Sequence, residues 1–258
     1  MRHDLLDIVS AMNPKRAIVA LVTNSTNLTK RSLQELRRAG VGTIHLSLDG
    51  ADEATNDSFR RWPGHYREVM ESIEQAKALG FTVCLSTIIM HGNMNKMAEM
   101  ERLARDRGVG LVFSPACASG RNSDEEDVLL TDEEWTQLMG FMRDHPRVRG
   151  DFSINLSMRQ ECPGGREKIG ISSYGDVIGC AMNPVSFGNV RQEPLATIWT
   201  RMQRFPAFAQ RSRVCLIAAD RRYIDEYIRP LSGSTLPVSI ERHPTHPLSF
   251  AALQSGTR

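Results

Sequence analysis

Residues 17–48, AIVALVTNSTNLTKRSLQELRRAGVGTIHLSL, decide the fold. Residues 17–23 are a short apolar run rich in β-branched side chains, which reads as a buried strand, and Asn24 to Asn27 form a polar turn. Residues 29–39 then place Leu33 and Leu36 at helical spacing, with Gly40 just beyond as a stop signal. Residues 43–48 are a second apolar run, and the unit repeats. A helix is predicted over 66–79 before Gly80, a strand over 82–90, a helix over 96–107 and a strand over 110–114. Nearly continuous apolar strands alternating with amphipathic helices imply parallel strands joined by right-handed crossovers. A barrel and a doubly wound sheet both satisfy that pattern. Asn24, Ser47 with Asp49, His91 with Asn93, and Cys117 fall at the C-terminal ends of successive strands, where ligands bind in either architecture. Asn and Asp also form turns, so each position has a plain structural alternative.

The chain has 258 residues, 41% of them apolar and 24% charged, enough to bury a full core. With 32 Lys plus Arg against 30 Asp plus Glu, nothing in the balance demands nucleic acid or a membrane, and neither is expected as a partner. The opening MRHDLLDIVSAM carries charges where a signal peptide needs its apolar region, so a cytoplasmic location is expected. The helix predicted over 3–12 has no strand before it.

After residue 120 the pattern changes. RNSDEED (121–127) is a charged loop, followed by a helix to residue 144 opened by a capping box of Thr131 and Glu134. A smaller unit begins near residue 151, with short strands expected at 153–156, 168–172 and 177–180 and a hairpin turn at Tyr174, Gly175 and Asp176. Helices are expected over 194–202 and 219–228. The tail, 232–258, is rich in Pro, Ser and His and is expected to be disordered.

Five scattered cysteines in a reducing compartment argue against a disulfide framework and leave packing, catalysis or metal. Cys162, twelve residues, Gly175, four residues, Cys180 describes a hairpin whose two ends bring thiols together as a bidentate clip. Cys215 lies 35 positions further on, where the chain can return to the same point. Three thiolates suit three irons of a cubane cluster and leave the fourth iron open. Zinc is the rival metal, and burial as small apolar side chains is the bland reading. Cys117 could close the open iron or simply pack, and Cys84, inside an apolar strand, reads as core.

LVTNSTNLTKRSLQELRRAGVGTIHLSLDGADEATNDSFRR, followed by a helix and TVCLSTIIMHGN, resembles the central part of a radical S-adenosylmethionine enzyme. CPGGREKIGISSYGDVIGC, FGNVRQEPLATIW and CLIAADRRYIDEYI resemble the C-terminal auxiliary-cluster region called SPASM or twitch. The resemblance implies an α/β fold: a partial (β/α)6 TIM-like barrel of the radical-SAM type over 1–145, with a small α+β auxiliary-cluster domain over 151–230. It assigns Ser47 to the ribose of S-adenosylmethionine and Arg60 to its methionine carboxylate, with Asn24 and Asp49 as weaker cofactor-binding candidates. It assigns Cys162, Cys180 and Cys215 to an auxiliary 4Fe-4S cluster. A hydroxyl suits a ribose hydroxyl, and a guanidinium forks onto a carboxylate.

The superfamily's Cys-x3-Cys-x2-Cys triplet is absent, as is its Gly-Gly-Glu motif. MRHDLLDIV resembles the helix that follows that second motif, so the first strand, first helix and second strand of the barrel are expected to be missing. The intact family generates a 5′-deoxyadenosyl radical, with an electron donor, to modify a peptide, protein or cofactor precursor; this chain alone is expected not to cleave S-adenosylmethionine. The competing expectations are a non-catalytic degenerate barrel and a zinc-binding module.

Overall fold

A computed structural model describes residues 3–119, 126–150 and 161–245. The chain divides into two compact units. The first comprises residues 1–89, 93–114 and 144–151. It runs α1 (Leu5–Ala11), β1 (Val19–Thr23), α2 (Lys30–Ala39), β2 (Val41–Ser47), α3 (Glu53–Arg60), α4 (His65–Ala78), β3 (Thr82–Ile89), α5 (Met97–Arg107), β4 (Gly110–Pro115) and β5 (Val148–Gly150).

The strands lie in the order β1-β2-β3-β4-β5, and β1–β2, β2–β3 and β4–β5 pair in parallel. The α/β reading is borne out; the described strands make an open five-stranded sheet and not a closed barrel. Sequential order and parallel pairing follow from a helix returning the chain after each strand. On β2, Ile44 and Leu46 are fully buried while Thr43, His45 and Ser47 on the opposite face are half-buried. The buried face packs with Leu33 and Leu36 of α2 and Val69 and Ile73 of α4 in the aliphatic core. Gly40 ends α2 at φ +106°, as the sequence predicts, and Thr29, expected inside the helix, caps its start.

Helix α3 is not among the sequence expectations. EATNDSFR carries no apolar stripe; its start is fixed by Asp52, which accepts the Thr55 N–H at 2.9 Å. The one fully buried residue of α3 is Asn56, so its packing is polar.

The second unit comprises residues 90–92, 115–143 and 152–258. Its α6 (Asp132–Asp144) opens on the predicted capping box: Thr131 Oγ1 accepts the Glu134 N–H at 3.2 Å, and Glu134 Oε2 accepts the Thr131 N–H at 2.9 Å. A small sheet follows, β6 (Gly170–Ile171), β7 (Asp176–Ile178), β8 (Val185–Asn189) and β9 (Val238–Ser239), in that order. β6 and β7 form the predicted antiparallel hairpin, turned by Gly175 at φ +95°. The strand expected at 153–156 and residues 121–125 of the charged loop lie outside the described residues. Helix α7 (Leu195–Arg204) and a helical run from Arg221 to Ile228, whose second part is a π turn, match the two helices expected.

The segment after residue 232 departs from its expectation as far as it is described. Val238 and Ser239 pair in parallel with Val185 and Ser186, and Ile240 and His243 are buried. Its polar, Pro-rich composition hides this because a two-residue strand needs only one apolar anchor, here Ile240.

Candidate cluster and nucleoside sites

In the first unit, Ser47 ends β2 on the half-buried face and pairs in register with Ser86 of β3, whose hydroxyl lies 3.4 Å from His45 Nδ1. Burial lowers the His45 pKa, which keeps the imidazole neutral and able to accept a hydrogen bond. Asp49 is fully buried two residues beyond Ser47. Its Oδ1 accepts the Ile88 N–H at 2.7 Å and its Oδ2 lies 2.5 Å from Arg60 Nη2. Burial pushes the Asp49 carboxyl up, and the Arg60 guanidinium and the Ile88 amide oppose it.

Asn56 Oδ1 accepts the Asp49 N–H at 3.0 Å, and its amide nitrogen donates to His65 Nδ1 at 2.9 Å. With Nδ1 accepting, Nε2 carries the proton and donates to the Asn24 carbonyl at 3.0 Å. A buried polar chain therefore fixes the ends of β1 and β2 to one another. Asn24 enters this chain through its backbone; its side chain closes a local turn onto the Thr26 N–H at 3.3 Å. Asn56 and His65 escape sequence reasoning because each looks like a surface polar residue until the fold buries it.

Of the four nucleoside candidates the structure joins Asp49 directly to Arg60, sets Ser47 on the neighbouring open face, and ties Asn24 in through the Asn56–His65 chain. Arg60 Nε is buried without a hydrogen-bond partner among the described residues. A guanidinium held on one side by a carboxylate and left with an orphaned donor fits a second, incoming carboxylate.

In the second unit, Cys215 is a buried thiol whose pKa is pushed up by burial first, and then by the charges of Cys117, Cys162 and Cys180. Cys180 is likewise raised by burial, with Cys162 adding to it, whereas hydrogen bonds from the Met182 and Asn183 amides and the charge of Lys168 favour its thiolate. The Ile217 amide does the same for Cys215. Backbone N–H groups directed at sulfur are what a ligating thiolate needs in a low-dielectric site. The three predicted ligands thus lie within electrostatic reach of one another, and Cys117 joins them. Among the described residues no three Cys, His, Asp or Glu side chains are gathered tightly enough to hold a metal ion as they stand. The donor chemistry, all sulfur with amide support, nevertheless fits an iron–sulfur cluster.

The backbone places these sulfurs by close approach. Cys162 N–H donates to the Ser212 carbonyl at 2.7 Å, and Gly165 N–H to the Gly179 carbonyl at 2.7 Å, drawing the two ends of the hairpin together. A Cβ on Gly179 would meet Phe208 Cζ at 2.5 Å, so the ring packs directly beneath the clip. Tyr223, fully buried, has its pKa raised by burial and by the charges of Cys180, Tyr227 and Cys162, while its hydroxyl accepts the Asn183 amide at 2.7 Å. The sequence offers no signal for Tyr223 or Asn183 beyond their nearness to cysteines.

An open parallel sheet bearing a polar strand-end cluster, with a separate unit gathering thiols, defines a cofactor-binding α/β protein with a second cysteine-rich centre. Residues 1–106 match the Radical SAM superfamily model, and residues 162–219 match SPASM, an iron–sulfur cluster-binding domain. The chain thus carries a Radical SAM domain match and a SPASM domain match, and the curated relatives that follow are similar to it over most of its length.

It is 28% identical over 231 residues to the AdoMet-dependent heme synthase of Methanosarcina barkeri, covering 79% of this chain and 66% of that one. To the PqqA peptide cyclase of Gluconobacter oxydans it is 24% identical over 221 residues, covering 80% and 62%. Streptococcus suis SuiB bound to S-adenosylmethionine shares the fold at a TM-score of 0.57 and 12% identity, over 81% of this chain and 53% of SuiB. The chain spans about two thirds or less of the length of these relatives.

Proposed function

We propose that this chain binds S-adenosylmethionine at the strand ends of its open sheet and a 4Fe-4S cluster on Cys162, Cys180 and Cys215, in the service of radical modification of a peptide or a cofactor precursor. The observation that carries the reading is backbone geometry within the part of the chain that matches SPASM: the Cys162 N–H donates to the Ser212 carbonyl, three residues before the buried Cys215, and the Gly165 N–H to the Gly179 carbonyl, next to Cys180. When bound, S-adenosylmethionine supplies hydrogen-atom abstraction, given an electron from a reduced cluster.

The chain's own residues bind and orient. Arg60, braced by Asp49, offers its free donor to the cofactor's carboxylate, and Ser47 offers a hydroxyl that both gives and takes a hydrogen bond. The Asn56–His65 chain holds these two strand ends in fixed relation. Relatives named for heme synthesis and for PqqA cyclisation support a substrate that is either a tetrapyrrole-like precursor or a peptide. An external electron donor completes the set of partners.

The sequence contains no Cys-x3-Cys-x2-Cys triplet, so we expect no reductive cleavage of S-adenosylmethionine by this chain alone. The test is anaerobic purification followed by reconstitution with iron and sulfide. A broad visible absorption that bleaches with dithionite supports the cluster, and a colourless, zinc-loaded chain overturns it. Release of 5′-deoxyadenosine by the isolated chain would overturn the expectation of no cleavage.

A further inference from the structure

We propose that Cys117 is the fourth thiolate of the auxiliary cluster, an inference that rests on the cluster reading above and completes its ligand set. Cys117 lies 45 positions before Cys162 and outside the stretch that matches SPASM, so neither spacing nor family likeness assigns it.

The backbone brings it in. Two residues past the end of β4 the chain turns, the Ser119 N–H donating to the Cys117 carbonyl at 2.8 Å and the Cys117 thiol to the Pro115 carbonyl at 3.4 Å. The next residue, Ala118, donates its N–H to the Ile217 carbonyl at 3.1 Å. Ile217 is two residues from Cys215, so the Cys117 and Cys215 segments are clasped side by side. The clasp is possible because the chains meet through small or apolar buried residues: Ala116, Ala118, Leu216, Ile217 and Ala218 are each 5% exposed or less.

Cys84, the remaining cysteine, belongs to the first unit, against Gly110 on the neighbouring strand β4. Three thiolates leave one iron of a cubane open to water or substrate, whereas four close it. A closed cluster carries electrons and cannot ligate substrate, so this assignment also gives the auxiliary centre an electron-transfer role.

The experiment compares the reconstituted full chain with Cys117→Ala and Cys84→Ala. The expected result is about four irons and four sulfides per chain in the wild type and in Cys84→Ala. Cys117→Ala is expected to lose iron to a chelator several-fold faster and to show the electron paramagnetic resonance signal of a three-iron cluster after oxidation. Retention of wild-type iron content, spectrum and chelator half-life by Cys117→Ala overturns the inference while leaving the cluster reading intact. Absence of iron from the wild type overturns both.

Alkylation of the wild type guards against a variant that fails to fold. Cys117 should be protected together with Cys162, Cys180 and Cys215 in the loaded chain and labelled with them once iron is stripped. Equal labelling of Cys117 in the loaded and stripped chains overturns the assignment.

Discussion

Asp49 has a side chain with no exposed surface, and Arg60 is the cation that neutralises it. Arg60→Ala strands a buried carboxylate, and we expect a loss of about 3 kcal/mol at neutral pH, read from urea unfolding. Asp49→Asn in the same background should recover part of it. The pH dependence fixes the cause. Burial already holds the Asp49 carboxyl above its ordinary value against the opposing pull of Arg60, and removing the guanidinium raises it further. A carboxyl whose folded pKa exceeds its unfolded one destabilises the protein fully above the folded value and not at all below the unfolded one. The stability gap between Arg60→Ala and wild type should therefore narrow as pH falls from neutral; a gap independent of pH would mean that lost packing, and not a stranded charge, is responsible. The sequence could name Asp49 and Arg60 separately, through resemblance, but not their pairing. They sit eleven positions apart, one after a strand and one at the end of a helix the pattern does not announce. Asn56 and His65 were illegible for the same reason: burial is a property of the fold, and polar residues carry no periodic mark of it.

Among the elements, the hairpin of β6 and β7 depends on a fit between glycine backbone and an aromatic ring. Phe208 packs with Phe187 and Phe205 at centroid distances of 5.3 and 5.0 Å and lies beneath Gly179. Gly179→Ala forces a methyl into that ring, and an overpacking loss of about 1–3 kcal/mol is expected. Because the hairpin ends carry Cys162 and Cys180, the same substitution should shorten the time for which a chelator leaves iron bound. Combining Gly179→Ala with Phe208→Leu should cost less than the sum of the two, since the smaller side chain vacates the contested space. Strict additivity would show that the ring and the glycine do not compete. The hairpin itself was legible, since Gly175 with its neighbours is a strong turn signal between apolar pairs. β8 was not: VSFGN is short and its own last residues, Gly188 and Asn189, are turn formers, and it is a strand because β7 and β9 bond to its two sides. β9, two residues long, exists only as its complement.

At the scale of the whole molecule the two units differ in what holds each together. The first has a dry aliphatic core under a five-stranded sheet, with Leu33, Ile44, Leu46, Val69, Ile73 and Leu85 fully buried. Such a core needs no inorganic support, and its repeating pattern is why the sequence announced it so clearly. The second unit's described strands are two to five residues long. Strands this short bury little surface and gain from a cross-link, which the proposed cluster on Cys162, Cys180 and Cys215 would provide by tying the hairpin to a distant segment. Binding that occurs only in the folded state stabilises that state, so stripping the iron should lower protection where the ligands are. Hydrogen exchange on the loaded and chelated chain should show amides of residues 162–220 losing protection by tenfold or more, while those of β1, β2 and β3 stay within twofold. Unchanged exchange in 162–220 would mean that the aromatic core of Phe187, Phe205 and Phe208 suffices without metal. Equal loss in both units would mean that they unfold as one, and the division of labour drawn from their cores would fall.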